Sequence, residues 1–143
     1  MKRAIIIGAT SGIGREVARA LAKRGVVVGV AGRRVDRLRE LQQEFGKERV
    51  HIAEMDVTRE DATERLDALI AKVGTPDLLL YASGIGKQNP ELNPSIELNT
   101  VATNSVGMVR LVVHFLGYVK RSSEYDAKHK AHIAVITSVA GTK

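Results

Sequence analysis

A chain of 143 residues, 44% hydrophobic and 27% charged, has the apolar mass for one packed domain and the charge of a soluble protein. Cysteine is absent, which excludes disulfides and thiolate metal sites. The formal charge of +6 comes from basic residues interleaved with acids and not set among aromatics, so composition argues against a nucleic-acid partner.

The opening MKRAIIIGATSGIG has a basic start and a short apolar run, but Gly8 arrives too soon for a signal-peptide core or a spanning helix. The expectation is a cytoplasmic protein with no membrane segment. Ala4 to Ile7 predicts a strand covered on both faces. Gly8 to Gly14 is a glycine-rich turn, and Val17, Ala18 and Leu21 mark one face of a helix that Gly25 closes as a left-handed cap. Val26 to Ala31 is a second buried strand, interrupted only by Gly29. Val35, Leu38, Leu41 and Phe45 recur at helical spacing until Gly46 stops them. Val50 to Met55 is a third strand, and Asp56, Val57 and Thr58 lead out of it. Thr58 followed by Asp61 fits an N-cap with an acidic first turn, and Leu66, Leu69, Ile70 and Val73 form the inner face of a helix ending at Gly74.

Pro76 precedes a fourth strand over Asp77 to Tyr81, and Ala82 to Pro94 is an irregular loop rich in Gly, Asn and Pro. From Ser95 to Lys120 the apolar residues wrap beyond one stripe. A helix apolar on two sides must be covered on two sides, which predicts a homo-oligomer contact along its outer face. Lys120 to Lys130 is a charged connector, and Ala131 to Thr137 a fifth strand. The strict alternation predicts an α/β, Rossmann-like three-layer sandwich with a mostly parallel sheet and right-handed crossovers, one domain over 1–143, truncated after the fifth strand.

Gly8, Thr10, Ser11, Gly12, Ile13 and Gly14 lie where a ligand loop would, after the first strand and opening the first helix. Glycines let the backbone approach an anion, and the helix start offers unpaired N–H groups and a positive dipole end; a dinucleotide pyrophosphate fits both. The spacing lacks the Gly-Lys-Ser/Thr of a triphosphate loop. At the end of the second strand stand Arg33 and Arg34, where an acid would accept the ribose hydroxyls of NAD. Guanidinium groups suit a 2′-phosphate, so NADP is expected and NAD is the lesser alternative.

With these residues in place, the chain from Lys2 to Gly141 resembles the short-chain dehydrogenase/reductase family. Gly8, Gly12 and Gly14 match its glycine motif. Asp56 resembles the acid that holds the adenine amino group, with Val57 beside the base. Asn104 and Gly107 match its Asn-x-x-Gly, and Ser138 to Gly141 its Ser-x-Ala-Gly. The resemblance implies hydride transfer between a nicotinamide and a small carbonyl or alcohol substrate. It implies that Ser138 hydrogen-bonds the reacting oxygen and that Asn104 supports a proton-relay water.

Two departures stand out. Where the family commonly has Asn-Asn-Ala-Gly, this chain has Tyr81, Ala82, Ser83 and Gly84, so the nicotinamide-side backbone is expected to be held without the usual asparagine brace. The family's Tyr-x-x-x-Lys follows the serine, but only Val139 to Lys143 follow Ser138, so an incomplete active site, inactive by itself, is expected. Three accounts fit: a fragment of a normal enzyme, which the retained motifs favour, a natural remnant, or a chain completed by a partner. The alternative function is a non-catalytic NAD(P)-binding or regulatory module. Tyr125 with Lys128 sits before the fifth strand, on the wrong side to replace the missing pair. Tyr81 is expected to pack under the cofactor. His129 and His132 lack a third ligand, and no metal is expected.

Overall fold

A computed structural model describes residues 1–84 and 88–136. Five strands, β1 (Arg3–Ile7), β2 (Val27–Gly32), β3 (Val50–Glu54), β4 (Leu78–Tyr81) and β5 (His132–Val135), form one parallel sheet in the order β3-β2-β1-β4-β5. The switch in direction falls between β1 and β4, the two strands whose carboxyl ends flank the crevice in sheets of this kind.

The run Ala4 to Ile7 has no polar side because both of its faces are covered. Ile5, Ile7, Leu79 and Tyr81 point into one apolar layer, and Ala4, Ile6 and Leu80 into the other. The first layer is closed by α3 (Ala62–Val73) and the long C-terminal helix through Leu66, Leu69, Leu111 and Phe115. The second is closed by α1 (Gly12–Lys23) and α2 (Val35–Phe45) through Ala18, Ala22, Leu38 and Leu41. Each fully buried aliphatic or aromatic side chain contributes roughly 1.5–3 kcal/mol, so this two-sided burial of short strands is the main source of the sheet's rigidity. The expected three-layer α/β architecture is therefore the observed one.

Two local expectations are corrected. Thr58 does not cap α3. The helix starts from Asp61, and Thr58 instead directs its hydroxyl and its amide to the Asp56 carboxylate. The long segment is not one continuous α-helix either. It comprises α4 (Pro94–Val101), a π-helical turn over Ala102–Val106, and α5 (Gly107–Arg121). Asn93 caps α4 by accepting from the Ser95 amide, with Pro94 in the first turn where its missing N–H costs nothing. As expected from its wrapped apolar pattern, α5 buries Leu111 and Phe115 on one side and exposes Val109, Val113 and Leu116 on the other.

The amino-terminal end of the sheet is held by a polar clasp. Asp77 Oδ2 accepts from the amides of Lys2 and Arg3, and its Oδ1 accepts from His129 Nε2 at 2.6 Å. The ring of Tyr125 lies beside His129, and its hydroxyl donates to the Pro76 carbonyl at 2.6 Å. This occupies Tyr125 at the end of the sheet opposite the strands' carboxyl ends, as its position before β5 implied.

Candidate nucleotide site at the carboxyl ends of the strands

The β1–α1 turn is built around two close approaches and two positive-φ glycines. Gly8 has φ +91°, and a Cβ there would lie 2.5 Å from the Ser83 amide nitrogen. A Cβ on Gly14 would strike the Gly8 carbonyl oxygen and come within 3.0 Å of the Ala82 Cβ. Gly12 has φ +61°, and no described atom lies within 4 Å of where its Cβ would be. The first and third glycines thus let the turn fold down onto Ala82 and Ser83, while the second faces open space.

The start of α1 is free to receive an anion. Ser11 is its N-cap residue in extended conformation, yet among the described residues its side chain makes no capping bond, and the first turn holds no acidic residue. Ser11, Gly12 and Ile13 are exposed and Thr10 is half-buried. The unpaired N–H groups of the first helical turn therefore lie next to an open backbone with no carboxylate to neutralise their dipole. Such a donor set suits an anion, and no side chain among the described residues caps it.

Arg33 and Arg34 follow directly on β2 and both are exposed, with Arg34 at the N-cap position of α2. The helix they introduce is fixed to α1 by Arg15, which donates to the Arg37 carbonyl at 3.0 Å and pairs with Glu40 at 2.8 Å. Arg15 is 13% exposed against 52% for Glu40, so its bond to the backbone is the better-sheltered half of the contact.

Asp56 leaves β3 on the same side of the sheet. Its Oδ1 accepts from the Thr58 amide at 2.9 Å and from the Thr58 hydroxyl at 2.6 Å. Partial burial opposes its ionisation, but the two Thr58 bonds and the positive charges of Arg33 and Arg59 outweigh that and hold its carboxyl below the ordinary value. The group is an anionic acceptor at neutral pH. Val57 is buried, and its carbonyl accepts from Arg110 of α5 at 3.0 Å, which pins the Asp56–Thr58 corner to the neighbouring helix.

Ala82 and Ser83 are half-buried beneath the glycine turn, and Gly84 is exposed. Asn104 lies in the π turn, and a Cβ on Gly84 would be 3.6 Å from its Oδ1. The β4 exit and the π turn therefore meet where the two glycine-flanked backbones converge. Ser138 lies outside the described residues. Tyr81 is 2% exposed, and its hydroxyl donates to the Thr103 carbonyl at 2.6 Å. Burial pushes this phenol up to about 12 despite the nearby Arg110, so at neutral pH it is a protonated donor to that carbonyl. Among the described residues there is no cluster of three side chains able to hold a metal, and no helix is long and apolar enough to cross a membrane.

The structure thus brings together the glycine turn, the basic end of β2, Asp56 with Val57, the β4 exit and Asn104 along one edge of the sheet. Pattern reasoning missed Arg15, Arg110 and the hydroxyl of Tyr81, which hold these parts in place. The acceptors of all three are backbone carbonyls distant in sequence, and no local spacing announces them.

A parallel sheet with this turn at its switch point defines the architecture of an α/β dinucleotide-binding fold. Residues 2–143 match the family described as short chain dehydrogenase, and the chain belongs to that family. An uncharacterized oxidoreductase of Staphylococcus haemolyticus is 31% identical over 146 residues, covering 98% of this chain and 59% of its own length. An alcohol dehydrogenase from the archaeon Thermococcus sibiricus, solved with 5-hydroxy-NADP, superposes with TM-score 0.81 at 30% identity over 96% of this chain and 58% of that one. The 3-ketoacyl-(acyl-carrier-protein) reductase of Brucella melitensis, solved with NADH, gives TM-score 0.85 at 26% identity over 96% and 57%. The chain thus spans rather more than half the length of these relatives.

Proposed function

We propose that the protein is an NADP(H)-dependent oxidoreductase that transfers a hydride between the nicotinamide and a carbonyl or alcohol substrate. The observation that carries this is the uncapped, acid-free start of α1 beneath the open Gly12, with Arg33 exposed at the end of β2. The backbone of Thr10 to Gly14 would hold the pyrophosphate, Arg33 and Arg34 the 2′-phosphate, and Asp56 with Val57 the adenine. Ala82, Ser83 and Gly84 would line the path toward the nicotinamide. The relatives solved with 5-hydroxy-NADP and with NADH support a nicotinamide cofactor, and the basic fork is what favours NADP here.

When bound, the nicotinamide supplies or accepts the hydride. Ser138 would hold the reacting oxygen by a hydrogen bond, and Asn104 would support a water that relays a proton. Residues 1–143 hold no Tyr-x-x-x-Lys after Ser138, and Tyr81 and Tyr125 are both committed to backbone carbonyls. A serine alone is poorly matched as a proton donor at neutral pH, so the chain by itself should bind cofactor without turning over. The exposed row Leu98, Val101, Val109, Val113 and Leu116 supports a homo-oligomer contact along α4 and α5. The lack of cysteine accords with a cytoplasmic location.

Calorimetric titration of the chain with NADPH and NADH, followed by a carbonyl panel on the intact source protein, tests the proposal. Micromolar NADPH binding, weaker NADH binding and turnover by the source protein are expected. A folded chain that binds neither dinucleotide refutes it, and binding without any turnover by the source protein would favour a regulatory module instead.

A further inference from the structure

The π turn between α4 and α5 has a structural consequence. Gly107 N–H donates to the Ala102 carbonyl, five residues back; in a continuous α-helix it would have served Thr103. The Thr103 carbonyl, next to Asn104, therefore loses its α-helical donor. Such a carbonyl in part-buried surroundings needs another donor, or it loses the hydrogen bond that water would have given it.

Tyr81 supplies that donor from the sheet. Its ring is buried at the carboxyl end of β4, and its hydroxyl meets the Thr103 carbonyl at 2.6 Å. The route is open only because residue 107 is glycine, since a Cβ there would stand 2.9 Å from the Tyr81 hydroxyl and 3.0 Å from the Val57 carbonyl. Three residues on from Tyr81, Gly84 passes the side chain of Asn104. The end of β4 thus bonds the π turn at the Thr103 carbonyl and then passes near Asn104.

We infer that Tyr81 is a positioning residue, whose hydroxyl holds the Thr103 carbonyl out of the helical ladder and so fixes the π turn that presents Asn104 at the carboxyl end of the sheet. It takes over, by a single long-reach bond, the bracing expected to be lost where Tyr81 and Ala82 replace paired asparagines. The brace stands on the described geometry, and only its effect on turnover rests on the oxidoreductase function proposed above.

Tyr81→Phe keeps the ring and its packing and removes only the donor. In the variant, amide hydrogen exchange over residues 103–108 should accelerate about tenfold while that of Ile5 to Ile7 is unchanged, the effect of one unsatisfied carbonyl. In the intact source protein, the dissociation constant for NADPH and the KM for the carbonyl should stay within about twofold, and kcat should fall about tenfold. Unchanged exchange over 103–108 overturns the brace, and unchanged kcat with accelerated exchange overturns its positioning role. Should the variant fail to fold, the wild-type chain decides the matter by NMR. The Tyr81 hydroxyl proton should be observable and protected from exchange with water, and rapid exchange refutes the bond. If wild type neither binds NADPH nor turns over, the proposed function fails while the exchange data still decide the brace.

Discussion

Gly14→Ala sets two calculable effects against each other. Gly14 is buried in the first turn of α1, and alanine at a helical position is ordinarily favoured over glycine by about 1 kcal/mol. Here the added methyl would fall on the Gly8 carbonyl oxygen, with the Gly8 carbonyl carbon 3.1 Å and the Ala82 Cβ 3.0 Å away. Those neighbours are backbone and the stub of a side chain, so none can swing aside and the turn itself must lift. Overpacking of this kind costs about 1–3 kcal/mol and can exceed that where backbone has to move, so a net loss of roughly 1–2 kcal/mol is expected. For a domain of this size that lowers Tm by about 3–8 °C. Gly12→Ala is the control: its methyl meets no described atom, and its cost is only the left-handed backbone, about 1–2 kcal/mol. Differential scanning calorimetry and NADPH titration on both variants separate the effects. Both should lose a few degrees of Tm, Gly12→Ala through its backbone conformation alone, and Gly14→Ala should lose more affinity because the turn that would hold the phosphates has to lift. A Gly14→Ala chain as stable as wild type would show that close approach to Gly8 is not why glycine stands there.

Other perturbations probe the remaining parts. Arg33→Asp should weaken NADPH binding at least tenfold while sparing NADH, the loss of one charge-assisted phosphate contact; equal loss of both in calorimetry would remove Arg33 from the 2′-phosphate. Thr58→Val deletes the 2.6 Å hydroxyl bond to Asp56 and keeps the amide bond, so the Asp56 carboxyl should titrate closer to its ordinary value in a 13C NMR titration, and an unchanged midpoint would discount that bond. His129 is raised by its bonds to Asp77 and the Glu124 carbonyl, against slight desolvation. Partial burial opposes ionisation of Asp77, but His129 and the Lys2 and Arg3 amides bring it down to about 2. The histidine's contribution is complete below its unfolded value of about 6.5 and fades as pH rises through the higher folded value, and the carboxylate's fades as pH falls below about 4. The Tm difference between wild type and His129→Gln should therefore be widest near pH 5 to 6 and shrink toward pH 9. A difference constant across that range would contradict the clasp.

Much of this arrangement could be read from residue pattern because its causes are local. Ile5 to Ile7 is apolar on both faces because helices cover both, and Gly25, Gly46 and Gly74 stop three helices with positive φ as their positions suggested. The glycine turn was legible for the same reason, since its geometry follows from the absence of side chains at fixed spacing. Thr58 was misread because its hydroxyl has two roles open to it, accepting from a helix amide as a cap or donating to a carboxylate. The Asp56 carboxylate two residues back takes its proton, the helix starts from Asp61, and hydrophobic spacing does not distinguish the two roles. The π turn was invisible for a different reason. One extra residue in a segment that is apolar all round shifts the periodicity without breaking it. Arg110 reaches Val57, and His129 reaches Asp77, across more than fifty positions, and only the folded chain brings them together.

Of the five described strands, the one in the middle of the sheet leaves the ribosome before the other four. Ala4 is flanked by Val28 on one side and by Leu78 on the other. At roughly 5–20 residues per second, the second neighbour emerges several seconds after the first. Throughout that interval Ile5 to Ile7 has one flank of amides and carbonyls with nothing to pair with, on the most apolar segment of the chain. Synthesis slowed before β4 has left the exit tunnel would lengthen the exposure and should raise the fraction of nascent chains captured by chaperones, whereas slowing after β4 has emerged should not.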